Sequence, residues 1–192
     1  MSKQILLIAL AIGFLSLLSG IAGLAVFTDQ QTIDANTFST GNVDISTAPT
    51  TALVTFSGMV PGDSVTDDVV VSNAGNLDLR YAITSAATNA DALGLKDALT
   101  LTIKTIDVTL PGTPCDDFDG TQLYTGDLDD SAGGLLVGDP TQGDDTGDRM
   151  LAASANETLC FRVALSSSAT GPEGASTTAT FTFDAEQTTN NP

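Results

Sequence analysis

Leu159-Cys160-Phe161-Arg162-Val163-Ala164-Leu165 and Ala179-Thr180-Phe181-Thr182-Phe183-Asp184-Ala185 each put their large apolar side chains on every second residue. That period of two belongs to a strand with one buried face. The same alternation recurs upstream. Val43 and Ile45 start it, and Ala52, Val54 and Phe56 alternate against Leu53, Thr55 and Ser57. Val65, Val69 and Val71 share a face, as do Leu77, Leu79, Tyr81 and Ile83, with Asp78 and Arg80 expected outward, and Leu99, Leu101 and Ile103 follow. Val60-Pro61-Gly62-Asp63 fits a type II turn, because Pro sets φ and Gly accepts a positive φ. Asn73-Ala74-Gly75-Asn76 reads as the turn of a hairpin joining the strands on either side. The spacing from Ala90 to Ala98 predicts a short helix, interrupted by Gly94. About seven or eight strands of this kind predict an all-β, two-sheet antiparallel sandwich, immunoglobulin-like or jelly-roll, over residues 42–187.

Between residues 110 and 156 the alternation lapses into the Asp- and Gly-rich stretches PCDDFDGTQLYTGDLDD and VGDPTQGDDTGDRM, the signature of a long acidic surface excursion. Cys115 lies near its start, and Cys160 lies on the outward face of its strand. They are the only two cysteines. An even pair in an exported chain predicts a disulfide, which would tie the excursion down onto the sheet. Closing a loop of that length contributes roughly 4 kcal/mol by chain-entropy reasoning.

Export is read from the opening MSKQILLIALAIGFLSLLSGIAGLAVF, in which Lys3 precedes an apolar run that ends in small residues. This predicts a signal peptide over residues 1–25, cut between Ala25 and Val26, with Ala22 a nearby alternative. An uncleaved leader is the other reading, since the run is long enough to cross a bilayer. Either way the remainder lies outside, and membrane contact is expected only through such a leader.

The chain has 24 acidic and 6 basic residues, no His and no Trp. Without Lys3 the formal charge is 24 acidic residues against five basic ones, or −19. Such a surface is incompatible with a nucleic-acid partner, which needs Lys and Arg. The missing His removes the Ser-His-Asp, Cys-His and HExxH schemes, and no cofactor is expected. The chain therefore reads as a non-enzyme. Asp117-x-Asp119-Gly120 shares letters with a calcium loop, but Cys115 and Gly126 fall where that loop needs carboxylates. Asn156-Glu157-Thr158 is an N-x-[ST] sequon. Residues 188–192 are expected to form a C-terminal tail.

The segment at 26–41 precedes the first clear strand. Phe27, Ile33 and Ala35 lie on one face of it, interrupted by Asp29 and Gln31. A detached strand of this kind, running from Val26 to Phe38, can pair with an exposed sheet edge of the next copy and give an open-ended homopolymer. A flexible tether, or a strand of its own sheet, is the alternative.

GLAVFTDQQTIDANTFSTGNVDIS at the leader junction, MVPGDSVTDDVVVSNAGNLDLRYAIT and the terminal TATFTFDAEQ together resemble the TasA/camelysin family of secreted biofilm-fibre proteins and their archaeal, pilus-like relatives. The resemblance covers both ends and the first half of the chain beyond the leader. It implies a jelly-roll subunit of biofilm-matrix or cell-surface fibres whose N-terminal segment, Val26 to Phe38 here, acts as a donor strand. Some relatives are labelled metalloproteases, a role that a chain without His does not support. A monomeric surface or matrix module that uses the acidic excursion, with calcium, to hold another matrix or envelope component is the alternative expectation.

Overall fold

The computed structural model describes Lys3 and residues 39–51, 53, 57–106, 114–129, 133–170 and 173–191. Two units are distinguished, Met1–Ser39 and Thr40–Pro192. The expected leader, its Ala25/Val26 cleavage point and the assembly residues Val26, Phe27, Ile33, Ala35 and Phe38 lie outside the described residues. So does most of the strand expected over 52–56.

The second unit is a β-sandwich. Its first sheet has the order β1-β2-β8-β4-β5, built from Ile45–Ala48, Ser64–Asn73, Asn156–Leu165, Leu99–Thr105 and Gln122–Asp127, all antiparallel. In the second sheet β3 (Leu79–Ala87) is central. Its Leu79–Tyr81 pair with β7 (Arg149–Leu151) and its Ile83–Thr84 with β6 (Leu135–Val137), while β9 (Ala179–Gln187) runs along the whole of β3. Residues of β3 bonded to β6 or β7 are also bonded to β9. Hence β6 and β7 share one side of β3 and β9 takes the other. One helical turn, α1 (Leu95–Ala98), enters β4.

The alternating apolar positions become the core. Val71, Leu101, Ile103, Leu159 and Phe161 of the first sheet meet Leu79, Tyr81 and Ile83 of the second, and none is more than 1% exposed. The expected turn at Val60–Asp63 forms, with the Asp63 amide donating to the Val60 carbonyl at 3.0 Å and Gly62 at φ +100°.

The hairpin expected at Asn73–Asn76 does not form. β2 and β3 lie in different sheets, and the corner between them is an arch organised by Asn73, which is 2% exposed. Its side-chain amide donates to the carbonyls of Leu77, Leu151 and Ala152, and its Oδ1 accepts the Gly75 amide at 2.9 Å. A buried amide so satisfied bridges the sheets where a two-residue turn would have kept the strands side by side. Gly75 is required there, since a Cβ would stand 2.5 Å from the Asn42 carbonyl oxygen.

Arg80, expected outward, is only 4% exposed. It lies on the outer face of the second sheet but is covered from the chain's end. Its guanidinium pairs with Glu186 and donates to the Asn191 carbonyl at 3.0 Å. The Asn191 side chain is held in turn by Glu186 and Gln142. Residues near the end of the expected tail are thus fastened to the sheet.

Within the acidic excursion the structure finds β5, β6 and β7, and Leu128, Leu136, Val137 and Leu151 enter the core. The excursion is pinned at its start by the Cys115–Cys160 disulfide, with Cα atoms 5.5 Å apart. Beside it Phe118 is buried against the outer face of the first sheet. The Lys104 ammonium and the Arg162 guanidinium lie 4.7 and 3.7 Å from its ring centroid. Arg162 also donates to Thr66 Oγ1, and Lys104 to the Phe118 carbonyl. Two cations on one aromatic ring fix the strap sideways where the disulfide fixes its end.

Candidate functional site

β9 is an edge strand. One of its edges is bonded to β3 from Ala179 to Gln187, and among the described residues the other edge has no partner. Opposite it, β1 covers only Val70–Asn73 of β2, so Ser64–Val69 are likewise unpaired on that side among the described residues. Among the described residues the sandwich is therefore open along the flank between β2 and β9. A row of unsatisfied amides and carbonyls is a template for another strand.

A groove of about 830 Å³ runs into this flank. Its floor is apolar, with Val65 and Val69 of β2, Phe161 and Val163 of β8 and Phe181 and Phe183 of β9. Its rim is hydroxylic, from Thr47, Thr50 and Thr51 on one side and Ser176, Thr177, Thr178 and Thr180 on the other. No charged side chain is among the described residues that line it. Phe181 rests edge-on against Phe161 at 5.2 Å, and Phe183 lies 6.2 Å from Tyr81. The rings of β9 face the core and yet remain partly exposed.

The rim is held by short links. The Asp91 carboxylate accepts the Ser176 amide at 2.6 Å and the Leu93 amide at 3.0 Å, while Thr88 exchanges hydrogen bonds with Thr177 and Thr178. The amides of Leu93 and Ser176 hold the Asp91 carboxyl below its usual range. The Tyr81 hydroxyl donates to Glu157 Oε1 at 2.7 Å, and Arg149 pairs with the same carboxylate. Burial, reinforced by Glu157, pushes the Tyr81 hydroxyl far above the range of a free phenol.

Every basic residue beyond Lys3 is bound within the protein. Arg80 pairs with Glu186, Lys96 with Asp97 and Asp129, and Arg149 with Glu157, and Lys104 and Arg162 hold Phe118. The acidic residues keep the surface to themselves. Asp117 and Asp119 are exposed, and among the described residues no three potential ligands gather to hold a metal ion.

A family model described as camelysin metallo-endopeptidase matches residues 2–106. The chain belongs to the camelysin family. No curated protein matches it. Among solved structures, the infectious bursal disease virus VP2 subviral particle aligns at 15% identity and a TM-score of 0.29, over 84% of this chain and 36% of that one. A structure of the Gx strain of the same virus aligns at 15% identity and a TM-score of 0.21, over 88% and 38%. The chain spans little more than a third of either viral chain.

Camelysin-family membership carries an extracellular or surface-associated protein of matrix type. The peptidase in the family's description implies a metal, and the residues present do not fit one. There is no His in the chain, both cysteines are consumed in the disulfide, and the acidic residues described do not converge. A catalytic zinc takes three protein ligands, usually with imidazole among them.

The groove was not among the sequence expectations. Phe181 and Phe183 were legible as one face of a strand, but a strand's place at a sheet edge depends on the order of pairing, which alternation does not encode.

Proposed function

We propose that this chain is a secreted structural subunit of extracellular matrix or surface fibres. It polymerises when the Val26–Phe38 segment of one copy enters the groove between β2 and β9 of the next. The observation that carries this reading is the edge of β9, unpaired among the described residues, above an apolar-floored groove that no described charged side chain lines. An added strand would continue the ladder with main-chain hydrogen bonds and seat alternate side chains among Phe181, Phe183, Val65 and Val163. Phe27, Ile33 and Ala35 supply such a face. Because donor and acceptor are different surfaces, the contact is heterologous and does not close on itself. Processing at Ala25/Val26 would free the donor, and the protein would act by assembly rather than catalysis.

Electron microscopy of the protein starting at Val26, beside a version lacking 26–38, tests the reading. Fibres are expected from the first and none from the second. Ile33→Asp on the donor and Val65→Asp in the groove should each stop growth, and an equal mixture of the two variants should yield dimers, since each retains one good surface. Identical fibres from the truncated protein would show that strand donation is wrong.

A further inference from the structure

We propose that Asn156 is an N-glycosylation site, modified outside the cytoplasm by transfer of a preassembled oligosaccharide. The inference rests on the exported half of the proposed function and is independent of strand donation. Asn156-Glu157-Thr158 opens β8. The alternation that sends Leu159 and Phe161 into the core puts Asn156 and Thr158 together on the outer face of the first sheet, about 7 Å apart along the strand. Asn156 is exposed, and among the described residues neither its side-chain amide nor the Thr158 hydroxyl has a hydrogen-bond partner. Of the described asparagines, Asn42, Asn156 and Asn190 have side chains without a hydrogen-bond partner, and of these three Asn156 alone begins an N-x-[ST] triplet. Asn73 bridges the two sheets, Asn76 and Asn89 each accept a main-chain amide, and Asn191 fastens the chain's end. Glu157, the middle residue of the sequon, faces inward to Tyr81 and Arg149. The strand thus separates an internal structural carboxylate from two outward groups that no structural role among the described residues consumes.

In the transfer, Nδ2 of Asn156 attacks C1 of an oligosaccharide carried on a polyprenyl phosphate or diphosphate. The N–C1 bond forms as the bond from C1 to the phosphate oxygen breaks. The amide proton is lost and the polyprenyl carrier leaves with its phosphate, so nothing is oxidised or reduced. The Thr158 hydroxyl is the second group that an N-x-[ST] acceptor presents. A glycan there stands on the outer face, about 23 Å along β8 from Val163 in the groove at a strand rise of ~3.3 Å per residue. It leaves the groove between the sheets clear.

The test uses the protein recovered from the medium or surface of the cells that naturally make it, so that export is established by the sample itself. After reduction, trypsin releases Met150–Arg162 as one peptide. That peptide is expected to carry a mass increment built of sugar residues. The increment should vanish in Asn156→Gln and Thr158→Ala proteins made in the same cells and persist in Thr158→Ser. Recovery of the wild-type peptide only at its unmodified mass would overturn the proposal, as would an increment that survives Asn156→Gln. The wild-type peptide decides even if a variant is poorly secreted. Whether the same sample forms fibres is a separate readout.

Discussion

β8 and β9 read almost alike, yet they have opposite fates. Both alternate cleanly, and both carry phenylalanine on the inward face. β8 sits between β2 and β4, with Leu159 and Phe161 wholly buried and its outer face strapped by the disulfide and by Phe118. β9 is bonded along one edge among the described residues, and Phe181 and Phe183 look into a groove. The difference teaches that alternation encodes which way a side chain points, whereas burial depth depends on how many neighbours the strand has. One strand is bonded along both edges by its own chain. Among the described residues the other is bonded along one.

Phe161→Ala attacks the completed strand, and removal of a wholly buried ring should cost about 3–5 kcal/mol in chemical denaturation of the protein lacking 26–38. Phe183→Ala in the same background should cost less than half of that. Equal losses would break the comparison. In assembled fibres the penalty for Phe183→Ala should rise, because the incoming strand would bury what the lone subunit leaves partly open.

Replacing both Cys115 and Cys160 with Ser releases the strap, and roughly 4 kcal/mol should be lost. Growth from β9 should persist at temperatures well below the lowered midpoint, since the strap and the groove lie on different faces of the first sheet.

Tyr81→Phe leaves Glu157 short of a buried donor and should cost about 1–3 kcal/mol. The same hydroxyl predicts an alkaline limit. Its pKa is raised on folding, so its contribution is complete below the unfolded value of about 10 and declines as pH climbs past that value. Tyr81→Phe should flatten this part of a stability–pH profile measured by denaturation. An unchanged slope would assign the alkaline loss to other groups.

Asp91→Ala, at the exposed rim, should have the smallest effect on the fold, read as a slight fall in thermal midpoint. Its carboxyl is depressed on folding, so its contribution is present at neutral pH and fades as acid protonates it. If the rim shapes the acceptor, this variant should slow fibre growth more than it lowers the midpoint.

Much of the sandwich is legible from alternation, and the outward placement of Cys160 foretells a tie between strand and excursion. The arch at Asn73 is not, because Asn-Ala-Gly-Asn suits a hairpin as well as a crossing between sheets. Only three carbonyls brought together by folding decide for the crossing. β6 and β7 escape notice for another reason: strands of three residues contain too few alternations to stand out from Asp-rich sequence. Arg80 misleads because it does lie on the outer face, and what buries it arrives from residues over a hundred positions away. The flank left open among the described residues is a property of strand order, and so no local pattern could announce it.

The internal engagement of all five cations has a consequence for material properties. A filament of such subunits would be a polyelectrolyte whose fixed charge is of one sign and whose compensating ions are mobile. Its osmotic pressure would draw water between filaments and keep them apart, and added salt or multivalent cations would collapse the spacing as the Debye length shrinks. A mat woven from these filaments would behave as a swelling gel, with its water content set by the surrounding brine.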